Sequence, residues 1–407
     1  MSHRSILLGV LLTEKKGGLV IPRDLAEILL IAGIILAFGF WEHWPPIVPN
    51  HYTDIASIFW REGIGKGRHG IPYYDYVFEY PVIVGFFTYL TSYFGRAMSS
   101  DFSISMAFYS LAMNLVLTGF ALGTAVVVYK LCELIGTDKK RMLPYLLVTL
   151  SFIMFTIYNW DIIAIFFSTL SIYFYLRGQK THSALSLGLG IASKIYPAML
   201  GLVYLLEEDT WKKRLKFFAI SASVFVVLNA PFMILKYDVW YGTWRHHMTW
   251  GLENSWLIYL FDQMDVNAHY ASLAVLLYLT YKGIAGTLKK SYPSQAARII
   301  ERSFLVSLAW LIGSYVCPPQ MALMILPFLV LMPLAPLWLF YLAEVFNALI
   351  IVLWFTPQLN LGNPLVASSP VQALSAMRQA IWLMLFQRVL YPGKLKVWTE
   401  DLFTRIR

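Results

Sequence analysis

Apolar residues run along the chain in long blocks separated by short polar or charged clusters. The blocks fall at 25–44, 104–129, 142–157, 162–176, 183–193, 198–206, 217–235, 268–284, 303–317, 321–332, 337–355 and 371–390. They lack the period-two alternation of a membrane barrel. A bilayer core takes about 20 apolar residues per helix, so the pattern predicts an all-α polytopic membrane protein with about 12 transmembrane helices. The blocks 183–193 and 198–206 are each too short to cross alone at about 1.5 Å per residue. Gly188, Gly190 and Pro197 punctuate them. Broken helices are tolerated in a bilayer only where they line a cavity or pack in protein, so a pocket is expected there.

Composition agrees. The chain has 407 residues, 58% hydrophobic and 14% charged, against about 25% charged in a soluble domain. The net charge of +9 sits in short clusters between apolar blocks, as the positive-inside rule produces. No basic patch interleaved with aromatics stands on a soluble domain, which excludes nucleic acid as a partner. Placing Lys139, Lys140, Arg141, Lys212, Lys213, Arg214, the stretch 289–302, Lys394, Lys396, Arg405 and Arg407 in the cytoplasm fixes the orientation. Residues 45–103 and 236–267 then form two outer loops. The apolar stretch 80–94 is expected to be a helix on the outer surface. A full crossing there would put the later basic clusters outside. Residues 1–24 read as a cytoplasmic lead-in rather than a cleaved signal, and 392–407 as a cytoplasmic tail. No internal repeat or low-complexity linker divides the chain, so a single domain is expected. Cys132 and Cys317 fall on opposite faces and show no metal-ligand spacing; the sequence calls for no metal and no cofactor.

The candidate chemistry collects on the outer face. Ile55, Ile58 and Phe59 keep helical spacing, so 54–62 reads as a short amphipathic surface helix with Asp54 at its start. Asp54 reads as an N-cap, as a general base aimed at an acceptor hydroxyl, or as both. Pro72-Tyr73-Tyr74-Asp75-Tyr76 and Phe78-Glu79-Tyr80-Pro81 follow. Such an aromatic loop suits a sugar-binding surface or an interfacial belt. Lys194, at the expected helix break, is a phosphate ligand or a snorkelling lysine. Arg245, in Trp244-Arg245-His246-His247, forks to a phosphate or anchors the loop. Asp161, after Asn159-Trp160, is a helix cap or a site carboxylate. An ionisable group at membrane depth is itself a functional-site hypothesis.

The run Tyr52-Thr53-Asp54-Ile55, followed far downstream by Lys194-Ile195-Tyr196-Pro197, resembles the catalytic subunit of GPI mannosyltransferase I. Four features are similar to the polyprenol-phosphate-mannose-dependent enzymes of glycosyltransferase family 87. These are the loop-one acid, Tyr80-Pro81-Val82-Ile83, the run from Gly190 to Pro197, and Pro318-Pro319-Gln320. Both groups belong to the GT-C superfamily. Ala56 stands where the eukaryotic enzyme has a second acid, so an Asp-x-Asp metal role is unsupported. The resemblance implies a GT-C fold and transfer of a sugar, mannose, from a polyprenyl (dolichyl) phosphate donor to a glycolipid or glycan acceptor. Asp54 would be the base. Lys194, Tyr196, Arg245 and His247 would hold the donor phosphate, and Tyr52, Asp75, Glu79, Tyr80, Asp161 and Gln320 the sugar or acceptor. Membrane lipids, and a small membrane partner subunit, complete the expected partners. The short chain without a retention signal points to a prokaryotic plasma membrane, an archaeal one included, rather than the endoplasmic reticulum. The competing readings are a polytopic transporter or flippase, which also uses broken helices and midplane charges, and a non-catalytic assembly subunit.

Overall fold

The computed structural model describes residues 13–15, 18–44, 52–67, 70–332, 337–359 and 361–392. Most of the expected lead-in, residues 45–51 of the first outer loop, and the basic tail from 393 lie outside the described residues. By packing the chain divides into two compact units, Met1–Thr249 and Trp250–Arg407.

The first unit opens with a two-stranded antiparallel pair, β1 (Thr13–Lys15) and β2 (Gly18–Val20). Helix α1 (Arg23–His43) follows Pro22 and matches the first apolar block. Helix α2 (Asp54–Arg61) is the expected surface helix. Its cap is Thr53, whose hydroxyl accepts from the Ile55 N–H. This corrects the expectation that Asp54 serves as the cap: Asp54 is the first helical residue and its carboxylate is used elsewhere.

Helix α3 (Val82–Met98) and helix α4 (Phe102–Ile135) form a hairpin. Asp101 starts α4 by accepting from the Ile104 N–H, and Gly136, at φ 72°, ends it in the left-handed region where glycine carries no Cβ penalty. Helix α4 has 34 residues. Its length of about 51 Å exceeds the hydrocarbon thickness of about 30 Å, so one helix serves both as a crossing and as a support beyond it. Helix α3 doubles back along its first half, with Phe94 against Phe108 and Phe87 against Phe120. From Val82 on, the stretch 80–94 is thus part of a helix paired with α4.

The block 142–157 is not one helix. Lys139–Arg141 forms a tight turn, Leu143–Leu147 a wide π-type turn, and α5 spans Leu150–Phe155. Pro144 removes a backbone donor there. Thr149 then restarts the helix by accepting from the Phe152 N–H. Helices α6 (Asp161–Leu176), α7 (Lys180–Ser193), α8 (Ala198–Glu207) and α9 (Trp211–Leu235) follow the expected blocks. Helix α10 (Tyr237–Met248) is amphipathic. It is tied to α9 by the Trp240 indole N–H, which donates to Asn229 Oδ1 at 2.8 Å.

The second unit holds a short turn at Trp256–Tyr259, helices α11 (Asn267–Leu288) and α12 (Gln295–Gly313), a 3-10 stretch at Pro319–Ile325, and helices α13 (Leu326–Leu331), α14 (Leu337–Trp354) and α15 (Pro370–Leu390). Its core is tied by Arg378, fully buried on α15. Its guanidinium donates to Asn347 Oδ1 at 2.6 Å, the Cys317 carbonyl at 2.6 Å and the Asn254 carbonyl at 3.2 Å. A buried guanidinium is tolerable only with such acceptors.

Among the described residues α1, α4, α9, α11 and α14 are long and apolar enough to cross a membrane. The other apolar blocks form helices that are shorter, broken or, for α12 and α15, long enough but less apolar. Helix α9 is largely exposed within its unit and apolar on several sides, with Phe218, Val226, Val227 and Ile234 outward. That suits a helix facing lipid. The chain is an integral membrane protein.

The α3–α4 hairpin rests on a close approach at Gly95. A Cβ there would lie 2.5 Å from the Ser105 carbonyl oxygen and 2.9 Å from Tyr109 Cβ. Gly95→Ala is therefore expected to destabilise the protein by about 1–3 kcal/mol. Gly119→Ala on α4, where a Cβ meets nothing within 4 Å, should be neutral or mildly stabilising. Thermal unfolding in detergent of the two variants checks the contrast.

Candidate active site

The fold brings five segments of the first unit together: the start of α2, the turn before α6, the start of α6, the break between α7 and α8, and the segment leading into α3. Thr53 joins the first two, since its hydroxyl donates to the Tyr158 carbonyl at 3.1 Å. Asp54, nearly buried, then meets the side chain of Asn159. The Asn159 amide donates to Asp54 Oδ2, while Asn159 Oδ1 accepts from the Trp160 N–H at 2.5 Å. The second contact fixes which end of the amide faces the carboxylate. Tyr52 donates to Asp54 Oδ1 at 2.7 Å. Burial pushes the Asp54 carboxyl above its usual range; the Tyr52 and Asn159 bonds and the charges of Lys194 and Arg61 oppose this. The same burial raises the Tyr52 phenol.

Lys194 sits at the end of α7, where the backbone turns extended at φ −154° and ψ 151°. Pro197 forbids a continuous helix, and α8 starts afresh at Ala198. The Lys194 ammonium lies 3.3 Å from Asp161 Oδ2 and 4.5 Å from the centre of the Tyr80 ring, a cation–π distance. Asp161 is the first residue of α6 and is fully buried. Its carboxylate makes no hydrogen bond among the described residues, so Lys194 and the positive helix end hold it by charge. Tyr196 is buried and donates to the Asp161 backbone carbonyl at 3.3 Å. The Tyr80 hydroxyl accepts from the Asn159 amide at 3.3 Å, so Tyr80 touches both the Asp54 side and the Lys194 side.

Glu79 forms the third carboxylate centre. Arg61 donates to its Oε1 at 2.6 Å, and His246 Nε2 lies 3.7 Å from its Oε2. Burial pushes Glu79 up to about 7, against the pull of Arg61. Burial, and then the Arg61 charge, lower His246.

Of the remaining expected residues, Asp75, Arg245 and Gln320 fall elsewhere. Asp75 is exposed and closes its own turn by accepting from the Ile71 N–H at 2.6 Å. Arg245 opens into a cleft of about 570 Å³ on α10, whereas His247, two residues on, hydrogen-bonds the Glu79 backbone within range of the Lys194 charge and so borders the site. Gln320 is buried in the second unit. Sequence reasoning missed Asn159, Arg61 and His246 as site members. Arg61 had a signal: it follows Asp54 by two helical turns and so shares its face.

Comparison with known proteins bears on what such a site does. The model described as Glycosyltransferase family 87 matches residues 78–311. The chain belongs to glycosyltransferase family 87. This makes it a membrane glycosyltransferase of the GT-C superfamily and sets aside the transporter reading. The matched range holds Glu79, Tyr80, Asn159, Asp161, Lys194 and Arg245; Asp54 precedes it. Solved structures resemble the chain, two of ArnT among them. One is ArnT from Cupriavidus metallidurans bound to undecaprenyl phosphate, at 13% identity and TM-score 0.44, covering 90% of this chain and 77% of that one. The other is the same organism's ArnT in the apo state, at 14% identity and TM-score 0.44, covering 90% and 76%. No curated protein matches.

The raised Glu79 carboxyl has a signed consequence. Its folded value lies above the ordinary 4.5, so the folded state binds its proton more tightly than the unfolded state. That contribution to stability is complete below about 4.5 and is lost as pH rises through about 7. Wild-type melting temperature is expected to fall over this window, and Glu79→Gln to flatten the fall. Melting curves of both proteins across the window decide it.

Proposed function

We propose that the protein transfers a sugar, most simply mannose, from a polyprenyl phosphate donor to a lipid-linked or glycan acceptor at the outer membrane face. The observation that carries this reading is Asp54. It is a nearly buried carboxylate oriented by Tyr52 and Asn159, with the Lys194 ammonium across Tyr80. Such a carboxylate, raised above its usual range by burial, takes up a proton more readily than an exposed one. A lipid-borne phosphate suits an ammonium at a helix break: its head reaches Lys194 while its tail stays in lipid. The sequence has no Gly-rich phosphate loop of the nucleotide-binding kind. The choice of mannose rests on the motif resemblance.

The step is a single inverting displacement. Asp54 takes the proton of an acceptor hydroxyl. That oxygen forms a bond to the anomeric carbon as the bond from that carbon to the phosphate oxygen breaks. The electron pair leaves on the phosphate, and Lys194 stabilises the charge that develops, which counts most where water is scarce. Asp161 and Tyr196 act behind Lys194, the first by its charge and the second by fixing the start of α6. Glu79, Arg61 and Tyr80 border the space where the sugar or acceptor would lie. In this reading no metal takes part.

Asp54→Asn is expected to lower transfer about 10²- to 10⁴-fold while leaving binding of polyprenyl phosphate intact. Lys194→Ala should weaken both. The measurement is transfer of radiolabel from polyprenyl-phosphate mannose to a crude lipid extract, with donor binding measured alongside. Wild-type turnover by folded Asp54→Asn protein would remove Asp54 as the base.

A further inference from the structure

Helix α10 carries a feature that the displacement itself does not use. Asp238, Tyr241, Gly242, Arg245, His246 and Thr249, on or at the end of α10, line the cleft of about 570 Å³ together with Val77 from the segment before Glu79. This volume lies within the range of about 300–1,000 Å³ of small-molecule sites. The helix is seated firmly. The Thr243 hydroxyl donates to the Phe78 carbonyl at 2.7 Å, and a Cβ on Gly242 would lie 2.5 Å from Val77 Cγ2. The cleft wall is therefore continuous with the segment that carries Glu79 and Tyr80, and His246 belongs to both.

The lining chemistry is specific. Tyr241 is exposed, and its ring stacks on Tyr237 at 5.7 Å with 5° between planes. The two form a flat aromatic shelf. Asp238 and Arg245 are exposed and have no side-chain hydrogen bond or ion pair among the described residues. They are opposite charges about 10 Å apart along the helix, too far to neutralise each other directly. Burial and the charge of Arg61 disfavour the protonated form of His246, so the cleft is close to neutral overall. An anion would meet Asp238 as well as Arg245. A neutral polyhydroxyl ligand can use all three groups. A carboxylate accepts from hydroxyls, a guanidinium donates to them as a fork, and an aromatic face takes the C–H side of a ring. From Asp238 to Thr249 the lining runs about 16 Å, room for more than one sugar ring.

We infer that this cleft is an acceptor subsite for an extended neutral oligosaccharide, which lies along α10 and feeds its terminal hydroxyl past Glu79 toward Asp54. The inference rests on the proposed transferase reading and narrows its acceptor to a glycan longer than one ring. It also moves Arg245 from the donor phosphate to the acceptor.

The test is binding without turnover. The full chain carrying Asp54→Asn, in nanodiscs, is titrated with mono- to tetrasaccharides of the manno-, gluco- and chito-series. Polyprenyl phosphate is titrated separately. In at least one series affinity should rise with length beyond one ring. Tyr241→Ala and Asp238→Ala should each weaken the longer ligands about tenfold, with unchanged melting temperature and unchanged polyprenyl phosphate affinity. Absence of length-dependent binding in every series, or indifference to both substitutions, overturns the inference. So does a loss of polyprenyl phosphate affinity on Arg245→Ala, which would assign the cleft to the donor. Because the readout needs no transfer, its failure leaves the role of Asp54 to be judged by the radiolabel assay alone.

Discussion

The contact between Asp54 and Asn159 holds the site together. Helix α2 has only eight residues, too few to persist alone in water. It exists because its first turn is docked: Thr53 caps it and reaches the Tyr158 carbonyl, and Asp54 takes the Asn159 amide. Once that end is fixed, the rest follows from helical geometry. Arg61, two turns on, meets Glu79. Ile55, Ile58 and Phe59 bury the face between, with Phe59 stacked on Tyr109 of α4 at 4.8 Å. A loop helix thus inherits the rigidity of the membrane helices beneath it.

The three carboxylates of the site are held in different ways, and the difference assigns their work. Glu79 and Asp161 face cations, Arg61 and Lys194. Asp54 is held by a phenol and an amide, which are neutral. Burial raises both Asp54 and Glu79, the latter to about 7 despite Arg61, so proton affinity does not separate these two. What separates them is pairing: Arg61 engages Glu79 as an ion pair, whereas Asp54 hydrogen-bonds neutral groups, the arrangement the proposed base role uses. Removing Asn159 would leave that carboxylate both less charged and less directed.

Much of this was legible in the sequence, and the limits have physical causes. Apolar blocks and basic clusters located α1, α4, α6, α9, α11 and α14 closely, because burial in lipid imposes length and polarity directly. The break at Lys194 was legible from Pro197. The fragmentation of 142–157 was not, since an apolar run looks alike whether it winds as one helix or as turns. Asp54 stood out as a carboxylate beside an amphipathic helix. Asn159, Arg61 and His246 did not, because their roles depend on partners far off in sequence: Asn159 lies 105 residues from Asp54. Asp75 drew attention by its type, yet it serves its own turn.

Tyr73 explains how the two halves of the site stay apart. It is a buried non-glycine residue at φ 69°, a conformation that costs of order 1–3 kcal/mol and persists only when its surroundings over-determine it. They do so here: its hydroxyl reaches the Tyr80 and Pro81 carbonyls at 2.7 and 2.9 Å, and its ring packs on Phe78. The result is a fixed Tyr80, touching Asn159 with its hydroxyl and Lys194 with its ring face. An ammonium in direct contact with Asp54 would hold that carboxylate ionised and make it a weak base. With Lys194 set against the Tyr80 ring and Asp161 instead, the proposed displacement would have its cation near the leaving group without an ion pair to Asp54.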